Sequence, residues 1–447
     1  PRSPMQTPTT PARQGDRATF LMVTPGGKGQ MKGHLTRVLD LAQSLVARGH
    51  RVLVFTEAAV PAEVEASGAE LVPARDYRGL LDRLEAARET LPGWMRISLL
   101  LRRAYWYVCY RRAVLGSAED YCNELEPLLR REQVDCVVYD YFAFGAGYAA
   151  ERLGIPAIST GNLGSVIDAD GLPVLLRASP PGRLARRMPR LTHALVDAFL
   201  PLRRTRAKLG LPPRAAKHAE LFQTMGSSEL HLAMVSENLL TGIPRRGEQL
   251  YAGTIAFDGA TAENSATFGP IAPGTVLVST TSVGQDGGLM RRVLKALDPT
   301  GMPVLATTAG ARDVPDNLGP HIRTEAFLPH EQVFPHVAAL VTHGGWGAVG
   351  RALRHGVPML IIPLFADQPL NAELLEKQGL AYQLSLREAT PEAIRERVQA
   401  LLKDQVLHAR VQKLSEELKA MRKDSVAIDT LERLALETRG RRQAQAA

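Results

Sequence analysis

A chain of 447 residues exceeds what one compact core usually holds, so two domains are expected. With 45% hydrophobic and 22% charged residues it has the balance of an ordinary globular protein, and its apolar runs, such as Met359–Phe365, fall well short of the ~20 residues of a membrane-spanning helix. The net charge of +8 comes without zinc-finger spacing or an aromatic-and-basic RNA signature, which argues against nucleic acid as the partner.

Residues 1–16 are rich in Pro and Thr and lack an apolar signal core, so they are expected to form a disordered tail. Ala18–Thr24 is a continuous apolar run, as in a strand covered on both faces. A glycine-rich loop (PGGKGQMKGH) and an amphipathic helix, Leu35–Arg48, lead into a second strand, Arg51–Thr56. This is the opening βαβ unit of a doubly wound fold. The loop has no G-K-[ST] at P-loop spacing, so Gly26, Gly27, Gly29 and Gly33 are read as a loop for close substrate approach. Strands at Val134–Tyr139, Pro156–Ser159 and Leu230–Ser236 complete the first half, with a short helix around Gly145–Leu153.

The stretches Leu80–Tyr121 and Gly161–Thr224 carry Trp94, Tyr105, Trp106, Tyr107, Tyr110 and many leucines, enough to line an apolar pocket or simply to pack a core. From Arg177 to Lys217 eleven Lys and Arg face one acid, Asp197. That stretch is a solvated face, a weak contact with an anionic membrane surface, or a surface for an acidic acceptor. Asp168-Ala-Asp170, in an expected acceptor loop, is the one Asp-x-Asp pair with a placement to consider for a metal, and no metal is expected, since a helix start and side chains can neutralise an anion in a fold of this kind. Cys109, Cys122 and Cys136 form no CxxC pair and no even-numbered disulfide set, which points to a reducing cytoplasm.

Residues 241–273 lose periodicity and read as an interdomain linker between a domain at 17–240 and one at 274–425. The second domain repeats the plan, with strands at Thr275–Thr280, Pro303–Ala306, Ala338–Thr342 and Pro358–Pro363. Its helices are near 288–297, 345–355, 367–378, 390–403 and 405–421. Residues 426–447 form a C-terminal helix and tail, polar and expected to fray after Glu437. Two parallel-sheet, Rossmann-like α/β domains facing across a cleft are therefore expected, with ligands beyond the carboxyl ends of the strands.

The most informative segment is Phe327–Asn371, FLPHEQVFPHVAALVTHGGWGAVGRALRHGVPMLIIPLFADQPLN. A buried strand runs through His343-Gly344-Gly345 into a helix. Adjacent glycines admit a ligand close to the backbone, and the helix start offers free N–H groups to an anion. The segment resembles the donor-binding signature of family 1 glycosyltransferases, the UDP-glycosyltransferase type with the two-domain GT-B fold.

That resemblance implies roles residue by residue. Phe327 would stack on the base and the Leu328 backbone would bond it. His343 and the backbone at Gly345, Trp346, Gly347 and Ala348 would hold the diphosphate, with Thr281 and Ser282 adding side-chain bonds. Asp367 and Gln368 would grip sugar hydroxyls, which suits an acceptor paired with a donor. Two departures stand out: Arg351 replaces the glutamate that bonds ribose hydroxyls, and Ser279–Gln285 lacks the usual Ser-x-Gly-Thr/Ser. Either the nucleotide is held differently, or Arg351 contacts phosphate or pairs with an acid.

Gly33-His34 matches the family's G-H-x-x-P, with Arg37 in place of proline. His34 would act as general base toward an acceptor hydroxyl, with Asp140, at the end of a neighbouring strand, fixing its tautomer. The function implied is inverting, metal-independent transfer of a hexose to a lipophilic natural product. UDP-glucose is the first expectation for the donor, and a TDP- or GDP-deoxysugar the second. The nucleotide sugar is a co-substrate, no other cofactor is expected, and the protein would be a monomer or homodimer. The alternatives are a non-hydrolysing nucleotide-sugar epimerase of the same architecture and a non-catalytic ligand-binding or helper homologue.

Overall fold

The computed structural model describes residues 17–25, 32–57, 60–74, 83–84, 86, 90, 99–178, 180–215, 217–226, 230–244, 249–254, 257, 269–280, 288–308, 314–421 and 426–446. The expected tail at 1–16, Gly26, Gly27, Gly29, Trp94, Thr281 and Ser282 lie outside them, as does the side chain of Trp106.

The first sheet contains β1 (Thr19–Val23), β2 (Arg51–Thr56), β3 (Glu70–Pro73), β4 (Cys136–Asp140), β5 (Ala157–Gly161), β6 (Leu230–Ala233) and β7 (Gln249–Tyr251). Their order is 3-2-1-4-5-6-7 and every pairing is parallel. Strand β1 is apolar at successive positions because both of its faces are covered. Leu21 and Val23 join one core cluster with helix residues such as Tyr121 and Leu125, whereas Phe20 and Met22 join another with Leu35, Val38 and Leu39. The alternation follows from side chains leaving a strand on opposite faces.

The second sheet contains β8 (Val276–Ser279), β9 (Val304–Thr307), β10 (Ile322–Glu325), β11 (Ala339–Thr342), β12 (Met359–Ile361) and β13 (Ala381–Gln383), in the parallel order 10-9-8-11-12-13. The longer helices are α1 (Lys32–Ala47), α2 (Leu99–Arg131), α3 (Gly145–Arg152), α4 (Pro180–Arg187), α5 (Pro189–Phe199), α6 (Leu289–Leu297), α7 (Trp346–His355), α8 (Gln368–Lys377), α9 (Pro391–Lys403), α10 (Gln405–Ala420) and α11 (Val426–Ala446). Two Rossmann-like domains face across a cleft, which is the GT-B architecture expected from the sequence.

Four strands were not expected from the sequence. Strands β3, β10 and β13 are short sheet edges, and β10 reads IRTE with partly exposed residues, so no apolar run marks them. Strand β7 lies within residues 241–273, read above as linker, and pairs with β6.

The C-terminal end also departs from expectation. Rather than fraying after Glu437, α11 continues to Ala446. Its Ala427, Ile428, Leu431 and Ala435 are buried in the first sheet's core with Phe20 and Met22. Arg442 bonds the Asp135 carboxylate and the Val134 carbonyl. The polar composition at 438–446 therefore belongs to an anchored helix whose arginines reach back to the start of β4.

Candidate active site

In each sheet the strand order reverses beside the first strand of that half, between β1 and β4 and between β8 and β11. Such reversals open a crevice at the carboxyl ends of the strands. His34 lies in the first turn of α1, just beyond β1, and Asp140 is the last residue of β4. Their Nδ1 and Oδ2 are 2.8 Å apart. Asp140 is fully buried, while the His34 side chain keeps 17% of its surface open. The other Asp140 oxygen accepts the Phe142 N–H at 3.0 Å. Burial alone would raise the Asp140 pKa, but the positive charge available on His34 and Arg37 and the bonds it accepts outweigh burial and hold it below the usual carboxylate value. With Nδ1–H donated to Asp140, His34 Nε2 carries the lone pair that can accept a proton. Tyr141 and Phe142 flank the ring, with centroids 5.7 and 5.4 Å away.

Arg37 lies one helical turn further along α1 and is 2% exposed. Its Nη2 is 2.6 Å from the same Asp140 oxygen and 2.9 Å from His34 Nδ1. The sequence marked this arginine as a departure from the family pattern without giving it a partner.

In the second half, β11 leads through His343-Gly344-Gly345 into α7. Gly344 has φ near +90°, and a Cβ there would lie 2.6 Å from Ile361. A Cβ on Gly345 would lie 2.6 Å from His343 Nε2. Glycine at 344 is thus required by backbone conformation and close approach, whereas at 345 the missing Cβ leaves room for the His343 ring. Gly345 is the N-cap of α7 and no side chain caps it, which leaves the helix start to an anion. The Ala348 N–H already donates to the Gly345 carbonyl at 3.1 Å, so the Trp346 and Gly347 amides are better placed than Ala348 to meet a ligand. The Trp346 indole is buried and donates to the Met234 carbonyl of the first domain at 2.8 Å, so this side chain joins the domains. Phe327 is half-buried and Leu328 is buried.

Asp367 is positioned as the N-cap of α8, yet its side chain makes no capping bond. Its Oδ2 accepts from Asn162 Nδ2 at 2.8 Å and from Asn371 Nδ2 at 3.2 Å. Asn371 Nδ2 also donates to the Gly344 carbonyl at 2.9 Å. Gln368 is buried, and its Oε1 accepts the Leu364 and Phe365 N–H groups at 2.9 and 3.0 Å, which leaves the Nε2 end for a ligand. The two halves of the site are joined through these amides. Asn162 follows Gly161, a Cβ on Gly161 would lie 3.0 Å from Tyr141, and Tyr141 packs on His34.

Arg351 is buried and belongs to the interdomain frame. It donates to the Gly347 carbonyl at 2.9 Å and the Phe257 carbonyl at 2.6 Å, and its Nε lies 3.4 Å from a Glu331 carboxylate oxygen. Of the roles left open by the sequence, pairing with an acid has a partner in Glu331. Phe257 N–H in turn donates to Asp40 of α1 at 2.7 Å.

Asp168 is also committed elsewhere. Its Oδ1 accepts the Asp170 and Leu172 N–H groups, and Arg177 and Arg186 lie 3.7 and 3.5 Å from Oδ2. Among the described residues no group of three His, Cys, Asp or Glu side chains is placed to hold a metal ion. No described helix is long and apolar enough to cross a membrane. Tyr107 and Tyr110, expected as pocket candidates, lie at the surface against Phe199. Sequence reasoning missed Asn162; its only signal was a polar residue immediately after a buried strand.

Residues 272–425 match the family model described as "UDP-glucoronosyl and UDP-glucosyl transferase". The chain is 28% identical over 422 residues to 4'-demethylrebeccamycin synthase of Lentzea aerocolonigenes, covering 89% of this chain and 94% of that protein. It is 26% identical over 392 residues to oleandomycin glycosyltransferase of Streptomyces antibioticus, covering 86% and 84%. Among solved structures, the glycosyltransferase of kitacinnamycin superposes with a TM-score of 0.70 at 24% identity, over 94% of this chain and 99% of that one. This chain is a GT-B-fold glycosyltransferase, related to the family 1 UDP-glycosyltransferases and to the natural-product glycosyltransferases.

Proposed function

We propose that the enzyme transfers a hexose from a nucleotide-diphosphate sugar to a hydroxyl of a lipophilic natural product, with inversion at the anomeric carbon. His34 Nε2 takes the acceptor proton as the oxygen attacks, and the C1–O bond to the diphosphate breaks on the opposite face. Asp140 stabilises the imidazolium and fixes the ring. The α7 N-terminus and His343 receive the charge that develops on the leaving diphosphate. The observation that carries this reading is the 2.8 Å His34–Asp140 hydrogen bond at the strand reversal of the first sheet. The lipophilic acceptor is supported by the full-length relatives, whose names attach them to rebeccamycin-type and oleandomycin chemistry. His34→Ala is expected to lower turnover by about 10²-fold or more. Near-normal turnover in a folded His34→Ala protein would remove the base from the reaction.

For the donor, UDP-glucose is the reading that Asp367 and Gln368 suggest. Arg351 favours a second one, thymidine diphosphate, because a guanidinium accepts no hydrogen bond from a ribose 2′-hydroxyl and a deoxyribose has none there. Melting shifts with UDP, TDP and GDP separate the readings, since a ligand of the folded state alone raises its stability.

The membrane-surface reading of the basic stretch narrows to α4 and α5. Arg203, Arg206, Lys208 and Arg214 are engaged in ion pairs with acids of the same domain. By contrast Leu184, Met188, Leu191 and Leu195 are 46–61% exposed, with exposed Arg183, Arg187 and Arg190 interspersed. An apolar stripe among cations suits an anionic lipid surface. Sedimentation with phosphatidylglycerol vesicles, lost in Leu191→Asp/Leu195→Asp, is the expected result. No sedimentation, together with a dimer that the same substitutions split, would assign the stripe to self-association instead.

A further inference from the structure

The reading of His34 as base leaves Arg37 without a task, although it is the most intrusive charge in the site. It is buried to 2% exposure, it stands where the resembling pattern has proline, and its Nη2 approaches both members of the His34–Asp140 pair. Its Cζ also lies over the Tyr141 ring, 5.6 Å from the centroid. Its Nε has no hydrogen-bond partner, so the residue is not held by a complete bonding shell of its own. A guanidinium keeps its charge at any working pH.

The charge count decides what this does. A buried His–Asp pair carries −1 with a neutral imidazole and 0 once the imidazole takes a proton, so a low-dielectric site favours protonation. With Arg37 on the same carboxylate oxygen, the group carries 0 before and +1 after. Arg37 therefore opposes the imidazolium that Asp140 alone would favour. The contacts bear on the tautomer as well. With the proton on His34 Nδ1, Asp140 Oδ2, 2.8 Å from Nδ1 and 2.6 Å from Arg37 Nη2, accepts from both. If Nδ1 instead accepted from Arg37, the proton would sit on Nε2 and the ring would present a donor to the acceptor hydroxyl.

We propose that Arg37 is a positioning residue that acts through Asp140, its fixed charge on the shared carboxylate oxygen opposing the build-up of positive charge on His34. The other groups facing this cluster do not duplicate it. Tyr141 and Phe142 flank His34 from the loop after β4, and burial raises the Tyr141 phenol so that it stays neutral. His231 on β6 feels both Arg37 and Asp140 but is itself held neutral by burial, its pKa lowered to about 3. Asp367 reaches the cluster only through its field on Tyr141.

The inference rests on His34 being the base, and the experiment separates the two claims. The pH profile of kcat/KM is measured for the wild type, Arg37→Met, Arg37→Gln and Arg37→Lys. In the neutral variants the acidic limb is expected to move up by roughly one to two pH units, because the imidazolium is no longer opposed. Arg37→Lys, which keeps the charge, is expected to leave the limb near its original place. Arg37→Gln supplies the neutral arm if Arg37→Met does not fold. Neutral variants that are folded and keep the wild-type limb would overturn the role of Arg37. A His34→Ala protein with near-normal turnover would instead overturn the base itself.

Discussion

The Asn162 amide of the first domain donates to the Asp367 carboxylate of the second at 2.8 Å, 205 positions away in the chain. Together with Asn371, also on Asp367 Oδ2, it orients a carboxylate that would otherwise turn freely at the mouth of α8. If Asp367 takes a sugar hydroxyl as proposed, that hydroxyl would meet a fixed Oδ1, and the first domain would contribute to donor recognition without touching the nucleotide.

Replacing Asn162 with Ala should therefore weaken donor binding. A hydrogen bond to a charged group contributes about 1.5–3 kcal/mol, of which the remaining Asn371 bond preserves a part. A loss of roughly tenfold in nucleotide-sugar affinity is expected. Free nucleoside diphosphate should be affected much less, because it lacks the sugar. Titration calorimetry with both ligands checks this, and equal losses for the two would mean that Asn162 acts on domain closure rather than on the sugar.

At the opposite edge of the donor site, Gly345→Ala should act through His343. The added Cβ would fall 2.6 Å from His343 Nε2, so the imidazole would have to shift. The helix start survives, since Gly345 has φ −62°, which alanine adopts. Affinity for the nucleoside diphosphate is expected to drop by about 10- to 150-fold, the equivalent of one charge-assisted hydrogen bond, with little change in melting temperature. Unaltered affinity would show that the ring does not contact the ligand.

How much of this was legible in advance follows from sequence distance. The loop through His343, the glycines and Asp367 lies within 45 consecutive residues, so its pattern is readable in one window. His34 and Asp140 are 106 positions apart, yet one lies at the start of the helix that follows a strongly apolar strand and the other ends such a strand, and the parallel-sheet rule brings these places together. Asn162 and Arg37 carried no comparable signal, because their importance lies in partners contributed by tertiary packing. The edge strands are too short and too polar to announce themselves. Helix α11 is amphipathic only over its first half, and its Arg442 meets Asp135 from 307 positions away.

That return of α11 has a stability consequence. Leu431 is fully buried with Ala427, Ile428 and Ala435 against the first sheet. Leu431→Ala removes buried methyl groups and leaves a cavity, which costs about 2–5 kcal/mol. Urea unfolding followed by a first-domain signal should report that loss, although the substitution lies in the last residues of the chain. A midpoint equal to the wild type's would mean that the helix does not share the first domain's cooperative unit.

His231 gives a pH test of the same core. It is fully buried, its Nδ1 is 2.8 Å from Ser159 Oγ, and its Nε2 is 3.0 Å from Ser165 Oγ. Burial lowers its pKa to about 3 in the folded protein, with the Arg37 charge acting in the same direction. The unfolded chain returns it to about 6.5, so between these values the unfolded state binds more protons. Stability contributed by the neutral ring is therefore complete above about pH 7 and falls as the pH drops toward 3. At pH 5 the expected loss is about 2 kcal/mol relative to neutral pH. His231→Gln keeps polar atoms for the two serines and removes the titration, so its stability should be lower at pH 7 but fall less between pH 7 and 5. Parallel pH dependence in the two proteins would assign the acid sensitivity to other groups.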